Sequence, residues 1–269
     1  VVLAAVLAGC ATAAPHATTA EPAGARPPLS EVQTLTDPRG HVGASTAVVA
    51  DDRIEPVSAA PVAQLPATVT SFDADGETSV EVTDVSRVIA LDISGSIAAT
   101  VWGLGFGDAL VGRDVSTTFP GTEQLDVVTS GGHTVNVEAV ISLAPTLVLT
   151  DGSIGPRDVV EQLRTVGIEV VSLHNEPSFD GAAQLAHDVA AVFGAHAEGE
   201  LLAERIRSEV AATTATIAAF APAGADEGVR MMSTLPGVET APIGARLRAR
   251  VEQAEGGPRV VFDLAEGAS

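Results

Sequence analysis

One histidine stands in a setting where its side chain could bind a ligand. His133 follows Ser130-Gly131-Gly132, and a loop with two adjacent glycines has the freedom to bring an imidazole to an open face. Imidazole is a good ligand for iron. The alternative is a loop histidine that only hydrogen-bonds to the backbone. His174 directly follows a strand-like segment (EVVSL) and is predicted to lie at the rim of the same face.

An arginine, an aromatic ring and a serine are the other candidate ligand contacts. Arg113 ends the strand-like segment Leu110–Arg113, and its guanidinium matches a carboxylate in shape, although an ordinary surface ion pair fits the sequence equally well. Phe119 lies in a polar loop before Pro120, where its ring could stack on a flat ligand. Ser94 also follows a strand-like segment. These side chains are predicted to line a ligand cleft.

The composition and the motifs exclude several kinds of function. The net charge of −21 argues against a basic surface that would bind nucleic acid or anionic membrane. Cys10 is the single cysteine, which excludes an internal disulfide and a cysteine-rich metal site. No nucleophile–base signature, P-loop, dinucleotide fingerprint or HExxH motif occurs. We therefore predict no enzymatic activity and no nucleic-acid partner.

Short apolar segments alternate with helical patterns from residue 87 onwards. The strand-like segments are Arg87–Asp92, Leu110–Arg113, Thr146–Thr150 and Glu169–Leu173. The helical patterns are a segment after Ser94 or Ser96, either of which could cap it, and the segments Glu138–Leu143, Pro156–Val166 and Phe179–Phe193. The strands are too apolar to face water, so they predict a parallel sheet with helices on both faces. Ligands of such sheets bind beyond the carboxyl ends of the strands.

The first 84 residues have a different composition. Val1–Gly9 is apolar but far shorter than the roughly 20 residues of a membrane-spanning helix, and it is typical of the end of a signal peptide. The run that ends it, Leu7-Ala8-Gly9-Cys10, is similar to a bacterial lipobox, which implies cleavage before Cys10 and lipid on its thiol. Residues 11–84 are rich in Ala, Pro and Thr and predict a flexible tether, which allows short strand pairing within Thr68–Val82.

The last 73 residues contain one long helical pattern and an atypical end. Residues 197–220 predict a helix of about 35 Å, longer than a helix covering a small lobe needs. Residues 221–269 predict one strand (Arg259–Phe262) and one weak basic helix (Ile243–Val251). Their composition predicts an atypical or truncated segment.

Between Arg87 and Phe220 the chain resembles the substrate-binding proteins of metal-chelate importers. The resemblance lies in RVIALD, LGFGDALVGRD, HTVNVEAVISLAPTLVLTDGS and EQLRTVGIEVVSLH. Within that superfamily, SGGHTVNVEAV and DISGSIAATVWGLGFGDALVGRDVSTTFPGT are most similar to the haem-binding lipoproteins of actinobacterial haem ABC importers. The resemblance implies two Rossmann-like α/β lobes joined by one rigid helix. Residues 85–196 would be the first lobe and 197–220 the connecting helix, with the second lobe incomplete.

The resemblance also implies roles for single residues. Haem would be the transported ligand and His133 a ligand of its iron. Glu138, in the match Asn136-Val137-Glu138, would dock onto an arginine of the ABC transporter permease; a glutamate there is also favoured by the helix dipole. Cys10 would anchor the protein at the extracellular face of the cell membrane. The haem proteins of the family take a second axial ligand from a tyrosine in the second lobe, and these 269 residues contain no tyrosine.

Two other functions fit parts of the same pattern. A siderophore or cobalamin carrier would use the same lobe and Glu138 but would not depend on His133. A surface adhesion or scaffold module with a degenerate lobe would bind no small molecule and need no permease. Ligand binding that depends on His133 would therefore distinguish a haem-binding protein from a siderophore or cobalamin carrier and from an adhesion or scaffold module.

Overall fold

The chain folds into a lobe of alternating strands and helices. The structure, a computed structural model, describes residues 52–130, 133–156 and 158–220, and the backbone of residues 246–254 and 257–265. The strands are β1 (Ala67–Asp73), β2 (Gly76–Val82), β3 (Val88–Leu91), β4 (Leu110–Arg113), β5 (Asp126–Val127), β6 (Thr129–Ser130), β7 (Thr134–Val135), β8 (Leu147–Thr150), β9 (Glu169–Ser172), β10 (Arg246–Ala254) and β11 (Gly257–Ala265). The helices are α1 (Ser96–Leu104), α2 (Val137–Ser142), α3 (Val159–Thr165), α4 (Phe179–Val192) and α5 (His196–Phe220).

Five of these strands form the central sheet. Their order is β5-β4-β3-β8-β9, and every neighbouring pair is parallel. Parallel neighbours need a crossover, and helices supply it between β3 and β4 and between β8 and β9. The predicted α/β class with a parallel sheet is confirmed. The four strands predicted from apolar segments are all present, and β5 is a two-residue edge strand that the sequence did not reveal.

The sheet is covered on both faces because its strands are apolar at successive positions. In β3, Val88 and Ala90 belong to one core cluster together with side chains of α1 and α4. Ile89 and Leu91 belong to a second cluster with side chains of α2 and α3. Successive residues of a strand point to opposite faces, so an unbroken apolar run supplies both cores.

A β-hairpin takes the place of part of the predicted tether. β1 and β2 pair antiparallel over seven residue pairs, from Ala67↔Val82 to Asp73↔Gly76. Val80 and Val82 of β2 are buried in the core of the lobe. The tether prediction is therefore wrong for residues 67–82, where burial of alternate valines against the lobe stabilises a hairpin that the local sequence only allowed.

The segment before the hairpin is also bound to the lobe, and we call residues 52–66 the strap. The Val57 N–H donates to the Gly103 carbonyl in α1 at 2.8 Å. The Gln64 N–H donates to the Phe193 carbonyl after α4 at 2.9 Å. The strap therefore lies across the carboxyl-terminal parts of two helices, and these contacts correct the tether prediction for residues 52–66 as well.

The long helix lies close to its predicted range, whereas one of the last strands lies where a helix was predicted. α5 extends over 25 residues, or about 37 Å, close to the range predicted. Leu202 and Ala203 near its start are buried, whereas Leu201 and Ile217 are exposed. In the described part of the chain, no helix is both long enough and apolar enough to cross a membrane. β10 and β11 form an antiparallel hairpin, so the helix predicted over Ile243–Val251 is wrong where β10 begins at Arg246.

Candidate functional site

The candidate residues follow the strands of the sheet at its carboxyl edge. Ser94 comes after β3 and His174 after β9, and both side chains are exposed. His133 lies in the excursion between β6 and β7 that follows β5, and it is exposed too. Because parallel strands end at one edge, the topology brings these three residues to the same side of the lobe.

A buried aspartate organises the loop after β3. The Asp92 carboxylate accepts hydrogen bonds from the hydroxyls of Ser94 (2.6 Å) and Ser96 (2.9 Å) and from the N–H groups of Ser96 (2.9 Å) and Ile97 (3.2 Å). Asp92 therefore satisfies the first N–H groups of α1, a role that the sequence assigned to Ser94 or Ser96. The direct signal was an aspartate at the end of an apolar strand, four residues before the helix.

A second buried aspartate joins this loop to the next one. Asp114 follows β4, and its carboxylate accepts the N–H groups of Asp92 (3.0 Å), Ser116 (2.9 Å) and Thr117 (2.8 Å). Burial raises the pKa of Asp114, with a further upward contribution from nearby Asp92, while the N–H donors act in the opposite direction. The two aspartates fix the loops of neighbouring strands to each other.

Hydrogen bonds also connect the loops after β3 and β4 with the loops after β5 and β8. The Ile93 N–H donates to Ser153 Oγ at 2.9 Å, and Ser116 Oγ donates to the Ile93 carbonyl at 2.6 Å. The Val115 N–H donates to Thr129 Oγ1 at 3.0 Å. We call these five residues the loop ring, because they join the loops after β3, β4, β5 and β8.

His133 is carried by a short hairpin attached to the loop ring. β6 and β7 pair antiparallel, with Thr129 opposite Val135. The Val135 N–H donates to the Gly155 carbonyl at 2.7 Å, which ties the second strand of this hairpin to the loop after β8. His133 lies at the tip, directly before β7, so both ends of its hairpin are fixed while its imidazole faces solvent.

An aromatic residue from the amino-terminal hairpin reaches the same edge. The ring of Phe72 in β1 lies 6.1 Å from the ring of His174, centroid to centroid, at an interplanar angle of 59°. Phe72 is 43% exposed. No local pattern pointed to this residue, because it lies within the predicted tether and meets His174 only through tertiary packing.

Two of the predicted cleft residues point into the protein. Arg113 is half-buried, and its Nη1 donates to the carbonyls of Thr117 (2.9 Å) and Asp114 (3.4 Å) in the loop that follows it. Phe119 packs edge-to-face against Trp102, 5.5 Å between ring centroids, and adjoins the core on the α1 side of the sheet. The structure therefore does not bring Phe119 together with Ser94, His133 and His174.

Glu138 lies in the first turn of α2. Asn136 caps this helix, since its side chain accepts the Ala139 N–H at 3.1 Å. The Glu138 side chain is exposed and is free to meet a partner. Cys10 lies outside the described residues.

One cavity among the described residues excludes the candidate ligand residues. This cavity of about 510 Å³ lies between α3, the loop after β8 and the turn of the β1–β2 hairpin, and its lining includes Leu91 and Val148. None of Ser94, Arg113, Phe119, His133 and His174 lines it. Within the described ranges, no three side chains of His, Cys, Asp or Glu are grouped to hold a metal ion. Among the described residues, this edge thus offers the exposed imidazoles of His133 and His174 but no group of three metal-binding side chains.

Comparison with known proteins agrees with this architecture. Residues 91–224 match the family described as periplasmic binding protein. The lobe belongs to the periplasmic binding protein family. The crystal structure of the heme binding protein HmuT is similar to this chain, with 42% sequence identity and a TM-score of 0.65 over 70% of this chain and 59% of that one. The predicted superfamily of this periplasmic binding protein lobe is confirmed.

Two curated relatives extend the comparison. A cobalamin-binding protein of Halobacterium salinarum is 33% identical over 146 residues, which are 54% of this chain and 39% of that protein. An uncharacterized ABC transporter substrate-binding lipoprotein of Bacillus subtilis, YvrC, is 32% identical over 111 residues, 40% of this chain and 35% of that protein. The chain thus spans less than half the length of either relative, and the match is to a periplasmic binding protein lobe.

Proposed function

We propose that this chain is the solute-binding component of an ABC importer and that it captures haem at the carboxyl edge of the sheet. The observation that carries the proposal is the exposed imidazole of His133, held at the tip of a hairpin fixed at both ends. The similarity to the heme binding protein HmuT supports haem as the ligand. A solute-binding protein performs no chemistry on its ligand, which agrees with the lack of catalytic motifs.

We assign a different contact with the haem to each candidate residue of the carboxyl edge. His133 supplies one axial nitrogen to the haem iron. Ser94 and His174 offer hydrogen-bonding groups at the same edge, and Phe72 offers an aromatic face beside His174. Arg113 would have to exchange its hydrogen bonds to the loop carbonyls for a haem propionate, so we assign it a secondary role.

Delivery to the membrane is the second part of the proposal. Glu138 is an exposed acid at the start of a capped helix, which suits docking onto a basic residue of the permease. The lipobox-like run that ends in Cys10 supports lipid anchoring at the extracellular face of the cell membrane. The similarity to the substrate-binding lipoprotein YvrC supports both assignments.

Cobalamin binding is the alternative function. It is favoured by the 33% identity to the cobalamin-binding protein of Halobacterium salinarum. A corrin already carries its own axial base or a tightly held group, so this ligand would not depend on the imidazole of His133.

A haemin titration of the full chain, followed by absorbance, tests the proposal. The wild-type protein is expected to shift the Soret band sharply. His133→Ala is expected to lose that shift and to bind haemin at least about tenfold more weakly, because the iron loses its protein ligand. The matched control is His196→Ala, since His196 is also exposed but begins α5. Its titration is expected to follow the wild type.

Each outcome separates the candidates. Equal Soret shifts in the wild type and in His133→Ala would contradict the assignment of the iron ligand. A protein that does not bind haemin but binds cyanocobalamin, equally well with and without His133, would establish cobalamin binding as its function.

A further inference from the structure

Two branched apolar side chains are exposed on the edge that carries His133. Ile93, after β3, is 53% exposed, and Val115, after β4, is 42% exposed. β3 and β4 are neighbours in the sheet and pair in parallel, with Ala90 opposite Arg113. Their loops therefore leave the sheet side by side, and we call these two exposed side chains the apolar pair.

The loops that carry the apolar pair are held in place. The backbone of Ile93 is bonded on both sides, through its N–H to Ser153 and through its carbonyl to Ser116. Gly95 allows the two loops to approach, because a Cβ there would lie only 2.9 Å from the Ser116 carbonyl oxygen. Rigid loops that present large apolar groups to water are characteristic of ligand surfaces.

The same hydrogen bonds connect the apolar pair to the candidate iron ligand. Val115 is bonded to Thr129, the first residue of β6, and His133 lies four residues further along that hairpin. On the other flank, Ser153 holds Ile93, and Gly155 in the same loop holds Val135 next to the hairpin tip. The hairpin that carries His133 and the loops that carry the apolar pair are thus joined by one network of hydrogen bonds.

We propose that Ile93 and Val115 form the surface on which one face of the haem macrocycle rests. This inference deepens the proposed function and rests on it. Ser116, Thr129 and Ser153 do not contact the ligand in this arrangement and act as positioning residues, because their hydroxyls hold the backbone of the pair.

The chemistry of the pair selects among the ligands of this protein class. A porphyrin is flat, conjugated and unsubstituted on its faces, so it can cover two branched aliphatic groups without burying a polar atom. A corrin carries amide side chains above and below its ring, and iron siderophores present polar chelating groups. The apolar pair therefore favours a porphyrin over either of these ligands.

Iron-free protoporphyrin IX separates the contribution of the pair from that of His133. It has no metal for an imidazole to bind, so its affinity reports on the macrocycle surface alone. In titrations of the full chain, Ile93→Ser and Val115→Ser are each expected to weaken binding of protoporphyrin and of haemin by about tenfold. His133→Ala is expected to bind protoporphyrin like the wild type while losing the haemin Soret shift.

Two matched variants control for loss of exposed aliphatic groups in general. Ile141 is 40% exposed in α2 and Val166 is 55% exposed after α3, both near the amino ends of the strands. Ile141→Ser and Val166→Ser are expected to leave both titrations unchanged. Thermal unfolding of every variant checks that it is folded, which is expected because none of the four side chains is buried.

The outcomes distinguish this inference from the proposed function. Wild-type protein that binds haemin through His133, with protoporphyrin affinity unaffected by Ile93→Ser and Val115→Ser, would overturn the apolar surface and leave the proposed function intact. Wild-type protein that binds neither haemin nor protoporphyrin would overturn both.

Discussion

Replacing Asp73 by alanine is expected to lower the free energy of unfolding of the lobe by about 3 kcal/mol. Asp73 ends β1, and its two carboxylate oxygens each accept a hydrogen bond from Arg164 of α3 at 3.0 Å. The side chains of Arg164 and Asp73 are 34% and 12% exposed, respectively. Removing the carboxylate leaves a half-buried guanidinium without its counter-charge. Because Arg164 keeps contact with solvent, the cost is at the lower end of the range for such pairs.

The surrounding hydroxyls strengthen this contact and join the hairpin to the sheet. Ser172 Oγ of β9 donates to Asp73 at 2.9 Å, and the Ser172 N–H donates to Ser71 Oγ at 2.8 Å. Thr78 of β2 donates to the other oxygen of Asp73 at 2.8 Å. Asp73 therefore connects β1, β2, β9 and α3, and its loss is expected to release the hairpin that carries Phe72.

Acid should remove the same stabilisation. Burial pushes the pKa of Asp73 upward, but hydrogen bonds led by the one from Arg164 outweigh it and lower the pKa from 3.8 to about 2. Because the folded pKa lies below the unfolded one, the contribution is fully present above about pH 4 and is lost as the pH falls towards 2. The difference between wild type and Asp73→Ala in urea unfolding should thus shrink between pH 7 and pH 2.5.

Asp75→Ala is the control for this experiment. Asp75 lies in the same turn and is exposed. Its replacement is expected to change the free energy of unfolding by less than about 0.5 kcal/mol. A similar small effect for Asp73→Ala, or a difference from wild type that does not depend on pH, would contradict the role assigned to the ion pair.

Adding one methyl group at Gly105 is expected to destabilise the lobe by about 3 kcal/mol. Gly105 follows α1 with φ +102°, a conformation that costs an alanine about 1–2 kcal/mol. A Cβ there would also overlap the Ser58 carbonyl oxygen and lie 3.0 Å from the ring of Pro61. The strap would have to move, and displacing packed groups in this way costs typically about 1–3 kcal/mol more.

Gly167→Ala separates the two contributions. Gly167 follows α3 with φ +86°, and a Cβ at this residue would have no neighbouring atom within 4 Å. Its replacement therefore carries only the backbone cost and is expected to destabilise the lobe by about 1 kcal/mol. Urea unfolding of both variants measures the difference.

The single tryptophan of the chain provides a second readout. Trp102 Nε1 donates to the Ile54 carbonyl of the strap at 3.0 Å, so its fluorescence depends on where the strap lies. Gly105→Ala is expected to shift the emission of the folded protein to longer wavelength, whereas Gly167→Ala is not. Equal stabilities and equal spectra for the two variants would show that the strap does not pack against Gly105.

The sequence alone predicted four of the five strands of the sheet and its covering helices, and it supplied the candidate ligand residues. Segments such as VIAL in β3 and LVLT in β8 are buried on both faces of the sheet. Their unbroken apolar composition therefore indicates a buried parallel strand even when the structure is unknown. The long helix α5 was readable from its period. His133 was singled out as a candidate iron ligand from its glycine-rich loop and from the family resemblance of the residues around it, and that assignment stays a prediction.

Only the tertiary structure decided which side chains meet. Asp73 and Arg164 are 91 residues apart in the chain, and Phe72 meets His174 across a similar interval. The β1–β2 hairpin is stable here because one face packs on the lobe, where Val80 and Val82 are buried and Asp73 bonds to Arg164. No local pattern records those contacts. The backbone of Ile93 is likewise held by the hydroxyls of Ser116 and Ser153, which come from two other loops. The order of residues along the chain does not show which loops lie next to each other at the carboxyl edge of the sheet.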